Sequence, residues 1–170
     1  MCGIVGIYLK SKKFEKSLGV MLSKMLVSME SRGPDSAGFA IYNSDKNKIY
    51  KYSVCLNEMS FEKFKHEIKK KVKFTNIEKN SDHVILKSVE KPNKILPILE
   101  DFSTISLVGY GKSIEIFKQV GKPSNVVKKF NLDNFSGTHA IGHTRMATES
   151  AITTDGSHPY STGEDECLVH

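Results

Sequence analysis

The 170-residue chain is 39% hydrophobic and 26% charged, the composition of a folded globular domain and not of a disordered segment. That length suits one domain, 1–170, large enough to bury a core. No apolar run approaches the roughly 18 residues needed to span a bilayer, and Met1-Cys2-Gly3-Ile4-Val5 has no basic segment ahead of an apolar one, so neither a secretory leader nor a membrane partner is expected and the cytoplasm is the default compartment. The net charge of +6 is spread over Lys10–Lys13, Lys63–Lys73 and Lys118–Lys129, with acidic residues among the lysines and few aromatics. These runs read as solvated faces, and no nucleic-acid partner is expected. Cys2, Cys55 and Cys167 are odd in number and widely spaced, which argues against a disulfide framework.

Cys2–Leu9 is a short apolar run with two glycines, the pattern of a buried strand. Leu18, Met21, Leu22, Met25, Leu26 and Met29 recur on one helical face. Arg32-Gly33-Pro34-Asp35 should end that helix near Ser31. Ala37–Tyr42 and Lys48–Val54 read as paired strands joined by the turn-rich segment 43–47. Phe61, Phe64, Ile68 and Val72 mark a second amphipathic helix, with Ser60 as its N-cap. His83–Val89 and Thr104–Val108 follow as strands, Ser113–Gln119 and Asn125–Phe130 as helices, and Thr138–Arg145 as a closing strand of small residues. Lys91-Pro92-Asn93 reads as a loop. Paired strands with intervening helices imply α+β layers.

Three clusters carry chemistry. Once Met1 is removed, Cys2 becomes a terminus with a thiol and a free α-amine on one residue. A peptide α-amine ordinarily titrates at about pH 7.7–8.0, so it can take the thiol proton and later return it to a leaving amine without a separate histidine. Taken alone, a cysteine ahead of a buried strand is usually just a core residue. The second cluster, Arg32-Gly33-Pro34-Asp35-Ser36-Ala37-Gly38, reads physically as a helix-ending turn pinned against an adjacent strand. In the third, Gly137 to Ser150, strand alternation puts His139, Ile141 and His143 on one face and Thr144 on the other. Arg145 ends that strand with a planar fork suited to a carboxylate, and Thr148 can add a hydroxyl or a backbone donor.

Met-Cys-Gly-Ile-Val-Gly, Arg-Gly-Pro-Asp-Ser-Ala-Gly, Gly-His-Thr-Arg-Met-Ala-Thr-Glu-Ser, Ser-His-Pro-Tyr-Ser and Cys-Leu-Val-His occur in one order along nearly the whole chain. Together they resemble the class II glutamine amidotransferase domain, an N-terminal-nucleophile hydrolase, and most closely the amidotransferase subunits of glutamate synthase-like and N-methylglutamate synthase systems. The resemblance implies a four-layer αββα sandwich of two antiparallel sheets. It implies that Cys2 attacks the side-chain amide of glutamine, releasing ammonia and leaving a γ-glutamyl thioester for water. Arg145 would hold the glutamine α-carboxylate with help from Thr148, while Arg32, Asp35, His158 and His170 shape the pocket. The ammonia would pass to a synthase partner, of flavin and iron–sulfur type in that subfamily, with no cofactor on this chain. The family's Asn-Gly oxyanion segment and a downstream acidic residue are absent from the sequence. The expectation is therefore a fold incomplete at its C-terminus and slow turnover, since one oxyanion donor is worth about 10²–10³ in rate.

Other readings compete. Gly109-Tyr110-Gly111-Lys112-Ser113 matches the end of a phosphate-binding loop, but the full pattern needs glycine where Ser106 stands, so a strand-to-helix turn is expected. His139, His143, Cys167 and His170 offer metal-type ligands but lack a second close pair, and no metal is expected. An N-terminal-cysteine hydrolase for a different amide, or a scaffold subunit that keeps the fold without turnover, are the remaining alternatives.

Overall fold

The computed structural model describes residues 2–43, 49–147 and 151–170. In chain order these form β1 (Gly3–Tyr8), α1 (Leu18–Ser28), β2 (Ser36–Tyr42), β3 (Tyr50–Leu56), α2 (Phe61–Lys71), β4 (Asn76–Asn80), β5 (His83–Ser88), α3 (Pro92–Glu100), β6 (Ile105–Gly111), β7 (Ile114–Val120), α4 (Pro123–Phe130), β8 (His139–Arg145), β9 (Tyr160–Gly163) and β10 (Glu166–Leu168). Short 3-10 turns lie at Lys12–Ser17, Glu30–Arg32 and Leu132–Asn134.

Two four-stranded antiparallel sheets carry the architecture. The first has the order β1-β8-β2-β7 and the second β4-β5-β3-β6, while β9 and β10 form a separate hairpin. Strand alternation sorts the side chains into layers. Ala37, Phe39 and Ile41 of β2 face outward and pack under Leu18, Leu22 and Leu26 of α1 and Val126, Val127 and Phe130 of α4. Ala40 faces the other way and meets Cys55, Val108, Ile114 and Ile116 between the sheets. Tyr52, Val54, Val84 and Leu86 cover the far face of the second sheet, beneath Phe64, Ile68, Ile95 and Leu99 of α2 and α3. The result is the four-layer αββα sandwich expected from the sequence motifs. Among the described residues, no helix is long and apolar enough to cross a membrane.

Local chemistry explains the elements. Ser60 caps α2 as expected, its hydroxyl accepting the Lys63 amide at 3.4 Å. At α4 the cap comes from a distance: the Glu30 carboxylate accepts the Ser124 amide at 2.9 Å, and hydrogen bonding from the Ser124 side chain, then from this amide, holds its pKa below the usual carboxylate range.

Several expectations need correction. Ala37–Tyr42 and Lys48–Val54 are not a hairpin: β2 lies between β7 and β8, and β3 lies between β5 and β6 in the other sheet. Both strands are buried along almost their whole length, which requires a central position with layers on each face. Residues 44–48 lie outside the described residues. The segment read as a helix at Ser113–Gln119 is β7, because Ile114 and Ile116 point into the inter-sheet layer while Phe117 points to the helices. Lys91-Pro92-Asn93 is not a loop but the start of α3, with Pro92 in the first turn where its missing N–H costs nothing. Polar β4 and the hairpin strands β9 and β10 had no apolar run to announce them. Nor are the lysine runs wholly solvated, for Lys118 is only 5% exposed.

Candidate active site

Three sequence motifs converge at one end of the first sheet. In the β1–β8 register Gly3 stands opposite Thr144, and in the β2–β8 register Ser36 stands opposite Arg145. Cys2 and Arg145 are the next residues beyond the Gly3–Thr144 pair, so both lie at this sheet end. By alternation Cys2 shares the face of Ile4, His143 and Arg145, while Thr144 points to the helix side, where its hydroxyl donates to the Met29 carbonyl at 3.3 Å. Cys2 is exposed, and Arg145 is half-buried.

The Arg32–Gly38 motif packs against this strand end through its backbone. A Cβ on Gly33 would lie 2.4–2.6 Å from the backbone of Thr144 and Arg145, so only glycine permits this approach. The Asp35 amide donates to the Arg145 carbonyl at 3.1 Å, and its carboxylate accepts the Ala147 amide at 2.8 Å. Asp35 therefore fixes both ends of the turn that leaves β8. Arg32 is exposed at the end of the Glu30–Arg32 turn, its amide bonded to the Met29 carbonyl at 2.9 Å. Thr148 lies outside the described residues.

A loop from Ala151 to His158 closes the other side. The Ala151 carbonyl accepts from Arg145 Nη1 at 3.4 Å. His158, 4% exposed and joined to Pro159 by a cis peptide, packs its ring against His143, Tyr160 and His170 at centroid distances of 4.3, 4.3 and 4.5 Å. His143 Nε2 lies 2.8 Å from the His170 carbonyl oxygen, which can only accept, so Nε2 carries the proton. Burial, then the charges of His143, His170, Arg145 and Lys118, push His158 down to about 4. Burial likewise lowers His143. Both rings are therefore neutral near pH 7. They act as polar packing, not as charges.

Sequence reasoning missed Lys118, and it named Gly38 in the second motif without the partner that Gly38 meets. Lys118 Nζ donates to the carbonyls of Asp155 and Ser157 at 3.1 and 3.0 Å, and Gly38 lies under the His158 carbonyl, where a Cβ would come within 2.2 Å of the oxygen. The signal was present: Lys118 keeps the inward parity of Ile114 and Ile116 along β7.

The competing sites do not assemble. His139 stacks on Tyr42 at 4.2 Å, and Cys167 lies 3.4 Å from the Tyr42 hydroxyl. His143 sits four residues further along the strand, roughly 13 Å away at the usual rise. The Gly109–Ser113 segment is a strand-to-strand turn, not a strand-to-helix one. Its amides at Lys112, Ser113 and Ile114 all donate to the Asp165 carboxylate, so the anion it holds is internal. Among the described residues, Cys55, Asp82 and His83 bring metal-type donor atoms within 4.8 Å of one another. Asp82, however, already binds His83 Nδ1 at 2.9 Å and Lys129 Nζ at 2.7 Å, and His83 Nε2 accepts the Lys118 amide at 3.5 Å. Burial works to raise the Asp82 carboxyl, but the hydrogen bonds from His83 and Lys129 outweigh it and hold it at about 2. Burial pushes the Cys55 thiol up to about 12. This group is a buried polar tie between the sheets.

The fold and the converging motifs define a layered α+β domain whose cysteine-headed strand lies beside an arginine at the sheet end. No protein-family model matches the chain. It is 41% identical over 174 residues to the glutamine amidotransferase-like protein GlxB of Rhizobium meliloti, covering all of this chain and 58% of that one. It is 30% identical over 173 residues to a putative glutamine amidotransferase of Methanothermobacter thermautotrophicus, covering 94% of this chain and 56% of the relative. A shorter likeness, 34% over 90 residues and 48% of the chain, links it to 15% of a glutamine–fructose-6-phosphate aminotransferase (isomerizing) of Methanococcus maripaludis. The chain thus spans little more than half the length of the first two relatives. These likenesses support a glutamine amidotransferase domain.

Proposed function

We propose that the chain is the glutamine-hydrolysing part of a class II glutamine amidotransferase, with Cys2 as nucleophile once Met1 has been removed. The observation that carries this reading is the β1–β8 register, which ends with Gly3 opposite Thr144 and so brings Cys2 and Arg145, the next residue on each side, to the same end of the first sheet. Glutamine is an amino acid with a carboxylate at one end and an amide at the other. A guanidinium beside the nucleophile gives the carboxylate a bidentate seat and leaves the amide to reach the thiol.

In the proposed reaction the Cys2 α-amine takes the thiol proton and sulfur adds to the amide carbon. The tetrahedral species collapses, the C–N bond breaks, and the ammonium returns its proton to the departing ammonia. Water then adds to the γ-glutamyl thioester, releasing glutamate and restoring the thiol. Arg145 holds the α-carboxylate with Thr148 assisting. Asp35 fixes the strand end, Arg32 borders the pocket, and His158 and His170 fill the wall beneath the 151–158 loop. The reaction needs no cofactor on this chain. The ammonia goes to a synthase partner of glutamate synthase-like type, and the sequence motifs support that subfamily. The compartment that fits this chemistry is the cytoplasm.

Intact-mass analysis after incubation with 6-diazo-5-oxo-L-norleucine tests the reading. A single adduct mapped to Cys2, blocked by excess glutamine, is the expected result. A folded protein that reacts no faster at Cys2 than at Cys167 would instead be a scaffold subunit, and labelling blocked by another amide would identify a different hydrolase.

A further inference from the structure

The inner layer buries two lysines in different ways. Lys51 is 3% exposed and ion-pairs with Glu115 at 3.0 Å. Lys118 is 5% exposed, and among the described residues no carboxylate lies within ion-pair distance of it. Its ammonium is satisfied instead by the carbonyls of Asp155 and Ser157, with the Tyr160 ring 4.8 Å from Nζ. A buried ammonium is costly, and an apolar side chain of similar length would fill the same volume more cheaply. The lysine must therefore be accounted for by what its donors hold.

They hold the loop beside Arg145. The two carbonyls that Lys118 binds flank Gly156, and a Cβ on Gly156 would lie 3.5 Å from Arg145 Nη1. The Gly156 carbonyl between them accepts from the Tyr160 hydroxyl at 2.9 Å. Further along the same loop, Ala151 accepts from Arg145 itself. At its C-terminal end the loop rests on Gly38, whose missing Cβ leaves room for the His158 carbonyl and whose nearest side chain is that of Lys118. Three consecutive carbonyls are thus captured from below, and the captured stretch stands against the guanidinium.

We propose that Lys118 is a positioning residue for the glutamine site, clamping the 151–158 loop so that Arg145 is held in one orientation toward the substrate carboxylate. This rests on the glutamine-hydrolysing reading above and deepens it. Lys118 touches neither substrate nor nucleophile. It acts through the loop, so its removal weakens substrate binding more than it slows bond breaking.

The test combines Lys118→Met with Lys118→Arg as the charge-keeping control. In hydrogen exchange, Lys118→Met should speed the Gly156 and Ser157 amides by at least about ten-fold while β2 and β8 amides keep their protection. In glutaminase assays its KM for glutamine should rise about ten-fold with kcat changed by less than about three-fold, and Lys118→Arg should recover part of the difference. If Lys118→Met loses sheet protection altogether, Lys118→Gln supplies the same reading. Unchanged loop exchange in a folded variant overturns the proposal, as does an unmoved KM where the parent protein turns glutamine over. A parent protein that neither labels at Cys2 nor hydrolyses glutamine defeats the functional reading, and loop exchange then still decides whether Lys118 is a clamp.

Discussion

On the outside of the second sheet, Phe64, Ile68, Ile95 and Leu99 close over Tyr52, Val54, Val84 and Leu86 in an apolar layer. At the end of the first sheet, Gly33, Asp35, Gly38, Lys118, Arg145 and His158 meet through carbonyls, amides and a ring cluster. The first region depends on the volume and area of its side chains, which many apolar residues can supply. The second depends on backbone atoms lying within hydrogen-bond or contact distance, which few residues permit. Damage to the first should unfold the protein, whereas damage to the second should misplace a loop in a protein that stays folded.

The sharpest separation of the two regions is expected at Cys2. Cys2→Ala should reduce glutaminase activity by at least about a thousand-fold, with the melting temperature unchanged because the side chain is exposed. Phe64→Ala in the apolar layer should do the reverse. Denaturant titration should show a loss of about 3–5 kcal/mol, with activity per folded molecule retained. Gly38→Ala sits between the two. Its Cβ would meet the His158 carbonyl, at a cost of about 1–3 kcal/mol by overpacking, and Cys2 labelling by the glutamine analogue should slow as the loop lifts. A Gly38→Ala protein that labels normally would break the distinction between regions.

The most gradual effect is a pH dependence. His158 is held at about 4 in the folded protein, below the 6.5 of a free histidine, so between these values the unfolded state binds more protons. Stability should fall as the pH drops from about 6.5 to about 4, by at most about 1.4 kcal/mol per pH unit from this ring. His158→Phe should flatten that slope, and an unaltered profile would remove the neutral-ring account of the cluster.

Much of the layering was legible because buried strands and amphipathic helices leave apolar runs. Leu18 to Met29 and Phe61 to Val72 announced α1 and α2 through period alone, and Ser60 announced its cap. Period failed where it was short. The run Ile114-Glu115-Ile116-Phe117 fits a helix or a strand, and Lys118, a lysine at the inward position, hides the alternation that would separate them. Polar β4, β9 and β10 carry only single core-packing residues, such as Ile77 and Cys167, and leave no apolar run. The site was legible as motifs but not as contacts: glycines at 33 and 38 signal close approach, yet nothing in the sequence says that Thr144 approaches one and His158 the other.

Asp165 carries a consequence for the order of folding. The turn between β6 and β7 does not satisfy its own amides. It depends on a carboxylate about fifty residues downstream, one also bonded to the Ser113 hydroxyl at 2.8 Å. Contacts of such sequence separation form late, because the intervening chain must be closed before they contribute. During synthesis the connection from β6 in one sheet to β7 in the other therefore leaves the ribosome with its turn unfinished and waits for the β9–β10 segment to complete it.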